Sequence, residues 1–179
     1  MPQAPKITIS VDNRHGVSSW FDVLSRSTFE KPLEEIVAVK HVRDNAVRLN
    51  KVVEREVEIL KGDSQRLFIC GISQGAAMAI TLSLQAKHKL GGICVASGFF
   101  LTNTDINEAN LETPLWAFHG TKDTIRPWET VKATYDELKK RKPFNTEVEL
   151  IETGDDFDEE FIREKWSKML RAAVEIKLY

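Results

Sequence analysis

Gly71-Ile72-Ser73-Gln74-Gly75 sets a serine between two glycines, in a G-x-S-x-G spacing. An apolar run at 66–70 (Arg-Leu-Phe-Ile-Cys) precedes it and a helix-like stretch at 74–88 follows. A tight strand-to-helix turn of this kind lifts a serine hydroxyl clear of a sheet, and small flanking residues let the chain turn that sharply. The hydroxyl becomes a nucleophile, and the amide of Gln74 at the helix start donates to an oxyanion that develops beside it. The competing reading is a glycine-rich turn with no chemistry. The pentapeptide's position between strand and helix, with the Ala76-Ala77-Met78-Ala79 run behind it, favours the nucleophile turn.

A serine nucleophile requires a base, and the base an acid that orients it. Asp123, in His119-Gly120-Thr121-Lys122-Asp123, follows the apolar run 114–118 and is the candidate acid. Residues just beyond the strands of a parallel sheet face its ligands; a turn aspartate is the alternative. The base is harder to nominate. The four histidines are His15, His41, His88 and His119, and none follows the apolar stretch 148–151, where the last member of such a set belongs. His119 reads as a satisfied core or turn histidine, and His41 and His88 as solvated helix positions. His15, in the loop His15-Gly16-Val17-Ser18, is the histidine least tied to a regular element.

These residues need a scaffold that brings distant positions together. Residues 6–10 alternate polar and apolar as a strand does. From 31 to 61, Ile36, Val39, Val42, Ala46, Leu49, Val53, Val57 and Leu60 recur at three or four positions, which predicts one long amphipathic helix closed by Gly62. The run 66–70 predicts a strand buried on both faces. Further strands follow at 92–96, 114–118 and 148–151, with helices at 74–88, 128–141 and 159–176, and 103–112 as an irregular surface loop. Strands and helices in turn predict an α/β fold, a mostly parallel sheet covered by helices. With 179 residues, 42% of them apolar, the chain is expected to form a single domain over 1–179.

Composition narrows the partners. The net charge of −2 offers no basic footprint for a phosphate backbone, so nucleic acid is not expected. No apolar stretch approaches the ~20 residues of a membrane span, and the opening residues do not read as a signal peptide, which makes the cytoplasm the default compartment. Cys70 and Cys94, the two cysteines, both lie in apolar runs and are expected to be buried, reduced thiols.

The quoted segments resemble the acyl-protein thioesterase branch of the phospholipase/carboxylesterase family, serine hydrolases of the α/β-hydrolase fold. Pro2-Gln-Ala-Pro5 is similar to that family's proline-bracketed strand start, and Ser19-Trp20-Phe21-Asp22 to its S-W-F-D signature. Residues 71–78 resemble its G-F-S-Q-G-x-A-M elbow, with Ile72 for the aromatic. Residues 113–123 resemble its strand and acid loop, with Pro127 following. The resemblance implies Ser73 as nucleophile, Asp123 as acid and Gln74 as one oxyanion amide. It implies no metal or organic cofactor, and S-acylated protein cysteines or small acyl esters as substrates. It also implies an apolar, lipid-facing surface drawing on Trp20, Phe21 and Phe99-Phe100-Leu101, for which core packing is the equal alternative. Transient contact with a membrane surface is compatible with such substrates, and the oligomeric state is left open.

Two departures stand out. Where the resemblance calls for a Gly-His pair, in a context like G-H-E-F-S-E-E, this chain has Gly154-Asp155-Asp156-Phe157-Asp158-Glu159-Glu160. Asp155 thus takes the place of the catalytic histidine. An aspartate, with an ordinary pKa of ~3.9, is a weak base and meets Asp123 as a like charge. The family's H-G-x-G-D loop, source of the second oxyanion amide, has no counterpart ahead of Pro2. The expected consequences are an exposed sheet edge, a site lacking one wall, and either an impaired hydrolase or a binding or assembly protein derived from one.

Overall fold

A computed structural model describes residues 2–25, 32–154 and 157–175. Strand β1 (Lys6–Ile9) pairs antiparallel with β2 (Arg14–Ser18), matching Lys6 to Ser18 and Ile7 to Val17. This hairpin is a sheet of its own, so the expected strand at 6–10 forms but does not join the parallel sheet. Residues 15–18, read as loop, supply its second strand. Asn13, at φ 51°, makes the left-handed turn between the two.

The long helix expected over 31–61 is interrupted. Its described part is α1 (Leu33–Ile36) followed by α2 (Val39–Ile59). Between them Val37 is extended and bridges Val23, while Leu24 N–H donates to Ile36 O and Ala38 N–H to Asp22 O. Pairing with the 22–24 segment outweighs the helical spacing at Val37, a β-branched residue at ease in extended backbone. Helix α2 buries Val42, Ala46, Leu49, Val53 and Val57 along one stripe. Each Val or Leu fully buried this way contributes about 1.5–3 kcal/mol, more than helix propensity supplies to a valine-rich segment. The helix ends as Gly62, at φ 88°, donates its N–H to Val57 O.

The main sheet consists of β3 (Phe68–Ile72), β4 (Gly92–Ala96), β5 (Leu115–Gly120) and β6 (Thr146–Ile151), parallel throughout and adjacent in that order. Helix α3 (Gln74–Gln85) links β3 to β4, α4 (Trp128–Arg141) links β5 to β6, and α5 (Glu159–Glu175) closes the described chain. Ile93, Val95, Leu115 and Ala117 pack with α2, α3 and α4 in one apolar cluster. The opposite face carries Phe118 against Phe161 of α5, and Lys165 of α5 bonded to Glu149 at 2.6 Å.

Strand β4 is buried at every residue, as a central parallel strand is. The expectation of two-sided burial fails for β3, where Cys70 and Ile72 are exposed. Among the described residues β3 pairs with β4 alone, which makes it the edge of the sheet. This exposes Cys70, whereas Cys94 is buried as expected. No helix of the described residues is long and apolar enough to cross a membrane.

Candidate active site

Ser73 occupies the single step between β3 and α3, with φ 52° and ψ −120°. That is an unfavourable region for a residue bearing a Cβ, costing about 1–3 kcal/mol, and it persists only where surrounding bonds fix it. They are present: Ser73 N–H donates to Ala96 O at 2.9 Å, and Ser73 O accepts from Ala76 N–H at 3.0 Å. Gly71 is obligatory, because a Cβ there would lie 2.1 Å from Gly75 O. Gly75 differs from the sequence expectation of a required small residue, since a Cβ there would meet only Trp20 Nε1 at 3.8 Å. Gln74 is the first residue of α3, and a helix of this kind offers its opening N–H groups no carbonyl one turn back. An oxyanion beside Ser73 would find that donor.

The Gln74 side chain has a separate task. Its Oε1 accepts from Ser19 Oγ at 2.7 Å and from Trp20 N–H at 3.0 Å, and its Nε2 donates to Phe21 O at 3.3 Å. Asn45 Nδ2 of α2 donates to Trp20 O at 2.7 Å, and Asp22 accepts from Ser10 N–H and Oγ. The 19–22 segment is thereby strapped across the start of α3. Trp20 is half-buried beside Gly75, with the Arg48 guanidinium 5.7 Å from its ring centre. Phe21 is 1% exposed and meets Phe99 edge-on at 6.2 Å. Phe99, Phe100 and Leu101 are buried too, so core packing accounts for them and for Phe21, and of the aromatic candidates Trp20 alone stands beside the turn.

Asp123 lies just past β5 and is 5% exposed. Its Oδ1 accepts from Ile125 N–H at 2.9 Å and Arg126 N–H at 2.7 Å. Its Oδ2 lies 3.6 Å from His119 Nε2. The strand ends bring this loop into line with Ser73, because β3, β4 and β5 are neighbours and each finishes at the same end of the sheet. Between them, past β4, Ser97 repeats the backbone of Ser73, with positive φ (47°) and an N–H donating to Phe118 O, but its Oγ is buried with no partner among the described residues. Sequence reasoning passed over Ser97, although Ala96-Ser97-Gly98 also follows an apolar strand.

Asp155 lies outside the described residues. The chain leading to it is fixed, since Lys122 N–H donates to Thr153 O at 2.9 Å and a Cβ on Gly120 would lie 2.2 Å from Gly154 O. The loop before Asp155 therefore presses on the loop that bears Asp123. The histidines are bonded to partners other than Ser73. His15 Nδ1 is 3.1 Å from Thr8 Oγ1 within the hairpin, His41 Nδ1 accepts from Asp22 N–H at 3.2 Å, and His88, beyond the end of α3, is 3.0 Å from Glu54. His41 and His88, expected as solvated helix positions, are partly exposed and also make these tertiary contacts, with His88 lying past the helix rather than on it. Among the described residues no group of three or more His, Cys, Asp or Glu side chains is arranged to hold a metal ion.

Comparison with known proteins gives a consistent result. The family profile described as phospholipase/carboxylesterase matches residues 1–166. The chain is 30% identical over 147 residues to acyl-protein thioesterase 1 of Gibberella zeae, a match covering 78% of this chain and 61% of that protein. It is 30% identical over 143 residues to acyl-protein thioesterase 1 homolog 1 of Dictyostelium discoideum, covering 77% and 60%. The chain thus spans about three fifths of the length of these curated relatives. Among solved structures, Arabidopsis thaliana SOBER1 superposes with a TM-score of 0.80 at 25% identity, over 97% of this chain and 82% of that one. Zea mays acyl-protein thioesterase 2 gives 0.71 at 19%, over 94% and 79%, a likeness of fold. The mostly parallel sheet flanked by helices is the α/β-hydrolase-like arrangement.

Proposed function

The chain belongs to the phospholipase/carboxylesterase family, and from that premise we propose that it is a slow hydrolase of acyl thioesters and esters acting through Ser73. The observation that carries this reading is the backbone of Ser73, held at φ 52° and ψ −120° between a strand and a helix start. Strain of that kind is retained where it serves a purpose, here presenting an exposed hydroxyl beside a free helix-terminal amide. Ser73 Oγ attacks the acyl carbonyl and gives up its proton to water. The oxyanion is met by the N–H of Gln74, the thiolate or alkoxide leaves and is protonated, and an acyl ester remains on Ser73. Water then attacks that ester and releases the acid. Substrates of this chemistry are S-acylated protein cysteines and small acyl esters, with Trp20 bordering the acyl group. Asp123 holds the place of the acid and Asp155 that of the base, within one hydrolase-like domain working in the cytoplasm and touching membrane surfaces transiently.

The rate is expected to be low because each histidine is engaged with a partner other than Ser73. A well-placed general base contributes typically about 10²–10⁴-fold, and this chain forgoes it. The same observation favours the second reading, an acyl-binding or assembly protein without turnover. A fluorophosphonate probe and a short acyl thioester separate the two. Labelling and slow thiol release that vanish in Ser73→Ala support the hydrolase; thiol release unchanged in Ser73→Ala overturns it. Binding of a non-hydrolysable acyl ester analogue without labelling or release supports the second reading.

A further inference from the structure

Cys70 and Cys94 are register partners on neighbouring parallel strands, one at the centre of β3 and the other at the centre of β4. Partners in a parallel register project their side chains to the same face of the sheet. Both are free, and they differ in one respect that matters for chemistry: Cys70 is exposed, while Cys94 is 0% exposed. We propose that this pair is a thiol oxidation site, in which Cys70 reacts first with hydrogen peroxide and Cys94 then closes a disulfide across β3 and β4. The inference is independent of any hydrolase activity.

The two paired thiols act on each other's acidity. The neighbouring Cys94 thiol holds the Cys70 thiol below its ordinary pKa, against the opposing pull of burial. The same pairing, together with burial, pushes Cys94 up. The nucleophilic thiolate is therefore the solvent-facing one, the arrangement required of a peroxide-reactive cysteine. In the first step the Cys70 thiolate attacks one peroxide oxygen, the O–O bond breaks, Cys70 becomes a sulfenic acid, and the departing hydroxide is protonated to water. In the second, the sulfur of Cys94 attacks the sulfur of Cys70, the S–O bond breaks, and the proton of Cys94 leaves with the hydroxyl group as a second water. Two thiols are oxidised by two electrons, and one peroxide is reduced to two waters.

Strand spacing permits the bond. Neighbouring strands lie about 4.8 Å apart, inside the ~4.4–6.8 Å range of Cα separations across disulfides. Side chains on parallel strands run side by side, so their Cβ atoms must draw closer than the strands to reach the ~3.8 Å that disulfides average. A bond formed under that demand is readily reduced, which suits a reversible modification better than a structural staple. Its position gives it reach, because each cysteine stands three residues before a strained serine, Ser73 after β3 and Ser97 after β4. Ser73 N–H is bonded to Ala96 O just beyond the crosslink.

The test uses the reduced 179-residue chain treated with excess hydrogen peroxide, then unfolded in iodoacetamide and weighed intact. The expected product has lost two hydrogens, takes no alkyl adducts, and recovers two adducts after dithiothreitol. Cys94→Ala should instead stop at a sulfenic acid that a dimedone probe traps on Cys70. Cys70→Ser should leave Cys94 unoxidised under the same treatment. A treated wild-type chain that still takes two alkyl groups overturns the proposal. So does one that stops at a Cys70 oxyacid with Cys94 free, or one whose only disulfide joins two chains on a non-reducing gel. Circular dichroism of each variant before treatment checks that it is folded.

Discussion

His119 Nε2, near the end of β5, and Asp123 Oδ2, just past it, stand 3.6 Å apart and buried, yet they are not hydrogen-bonded partners, because the imidazole is committed to Arg126 O at 2.7 Å. A carbonyl oxygen only accepts, so Nε2 carries the proton. In the neutral ring Nδ1 is then a lone pair, buried and without a partner among the described residues. The ring also packs against Trp128 at 5.6 Å between centres. The nearest histidine to the candidate acid is thus occupied in holding the 119–128 loop together.

Replacing that ring separates its two roles. His119→Phe keeps the packing and removes the hydrogen bond to Arg126 O, and is expected to lower unfolding free energy by about 0.5–1.5 kcal/mol. His119→Ala adds a cavity and should lose roughly 3–5 kcal/mol. Urea unfolding followed by tryptophan fluorescence measures both, and equal losses in the two variants would show that the ring packing contributes nothing.

The two glycines of the turn should respond oppositely. Gly71→Ala forces a Cβ to 2.1 Å from Gly75 O, so either the turn opens or the protein unfolds. Gly75→Ala has room, with its nearest neighbour at 3.8 Å, and gains helix propensity of up to about 1 kcal/mol within α3. Thermal melts of both, with probe labelling at Ser73, test this. A stable, labelled Gly71→Ala protein would contradict the geometry of the turn.

Stability should also rise with pH above neutrality. Lys142 is fully buried, donating to Phe144 O at 2.7 Å, and burial pulls its pKa down from 10.5 to about 8. In the unfolded chain it keeps its proton to higher pH. Between about pH 8 and 10.5 the unfolded state therefore binds more protons, and unfolding free energy climbs, by up to about 3 kcal/mol over the whole interval. Burial raises the pKa of the Tyr135 phenol, which reverses the trend above about pH 10, where an unfolded tyrosine ionises. Urea midpoints at intervals from pH 7 to 9.5 should show the climb, and Lys142→Met should flatten it.

The base position can be tested by supplying what it lacks. In a chain carrying Asp155→His, with an added amino-terminal segment bearing the H-G-x-G-D loop, hydrolysis of a short acyl thioester is expected to rise by up to about 10²–10⁴-fold. Ser73→Ala should abolish the gain and Asp123→Asn should blunt it. A folded histidine variant no faster than its parent would show that position 155 does not face Ser73.

The parts of the molecule that the sequence disclosed are those governed by local chemistry. The β4 strand at 92–96 and the α4 helix at 128–141 were readable to the residue, because continuous apolarity in one and a Pro127 start in the other leave few alternatives. The turn positions of Ser73 after β3 and of Asp123 after β5 were readable because each follows an apolar strand in a turn-forming context. Strand β2 was hidden, since Arg14-His15-Gly16-Val17-Ser18 has one strong strand former and is held by its pairing with β1. The break at Val37 was hidden because its cause, Val23, lies outside the helical window. The strap of Ser19, Trp20 and Phe21 onto Gln74 spans more than fifty residues of sequence and has no local signature.

The position of β3 at the margin of the sheet imposes a rhythm on its amides. With Ser73 N–H bonded to Ala96 O, alternation turns the N–H groups of Ile69 and Gly71 toward β4 and those of Phe68, Cys70 and Ile72 away from it. In deuterated water the strand should exchange as a two-beat pattern, slow at Ile69, Gly71 and Ser73 and fast at the residues between. The amide of the nucleophile would then report on the β3–β4 pairing as a whole: it is released only when the two strands part or the turn itself opens, so its exchange rate measures how often the reactive geometry is lost.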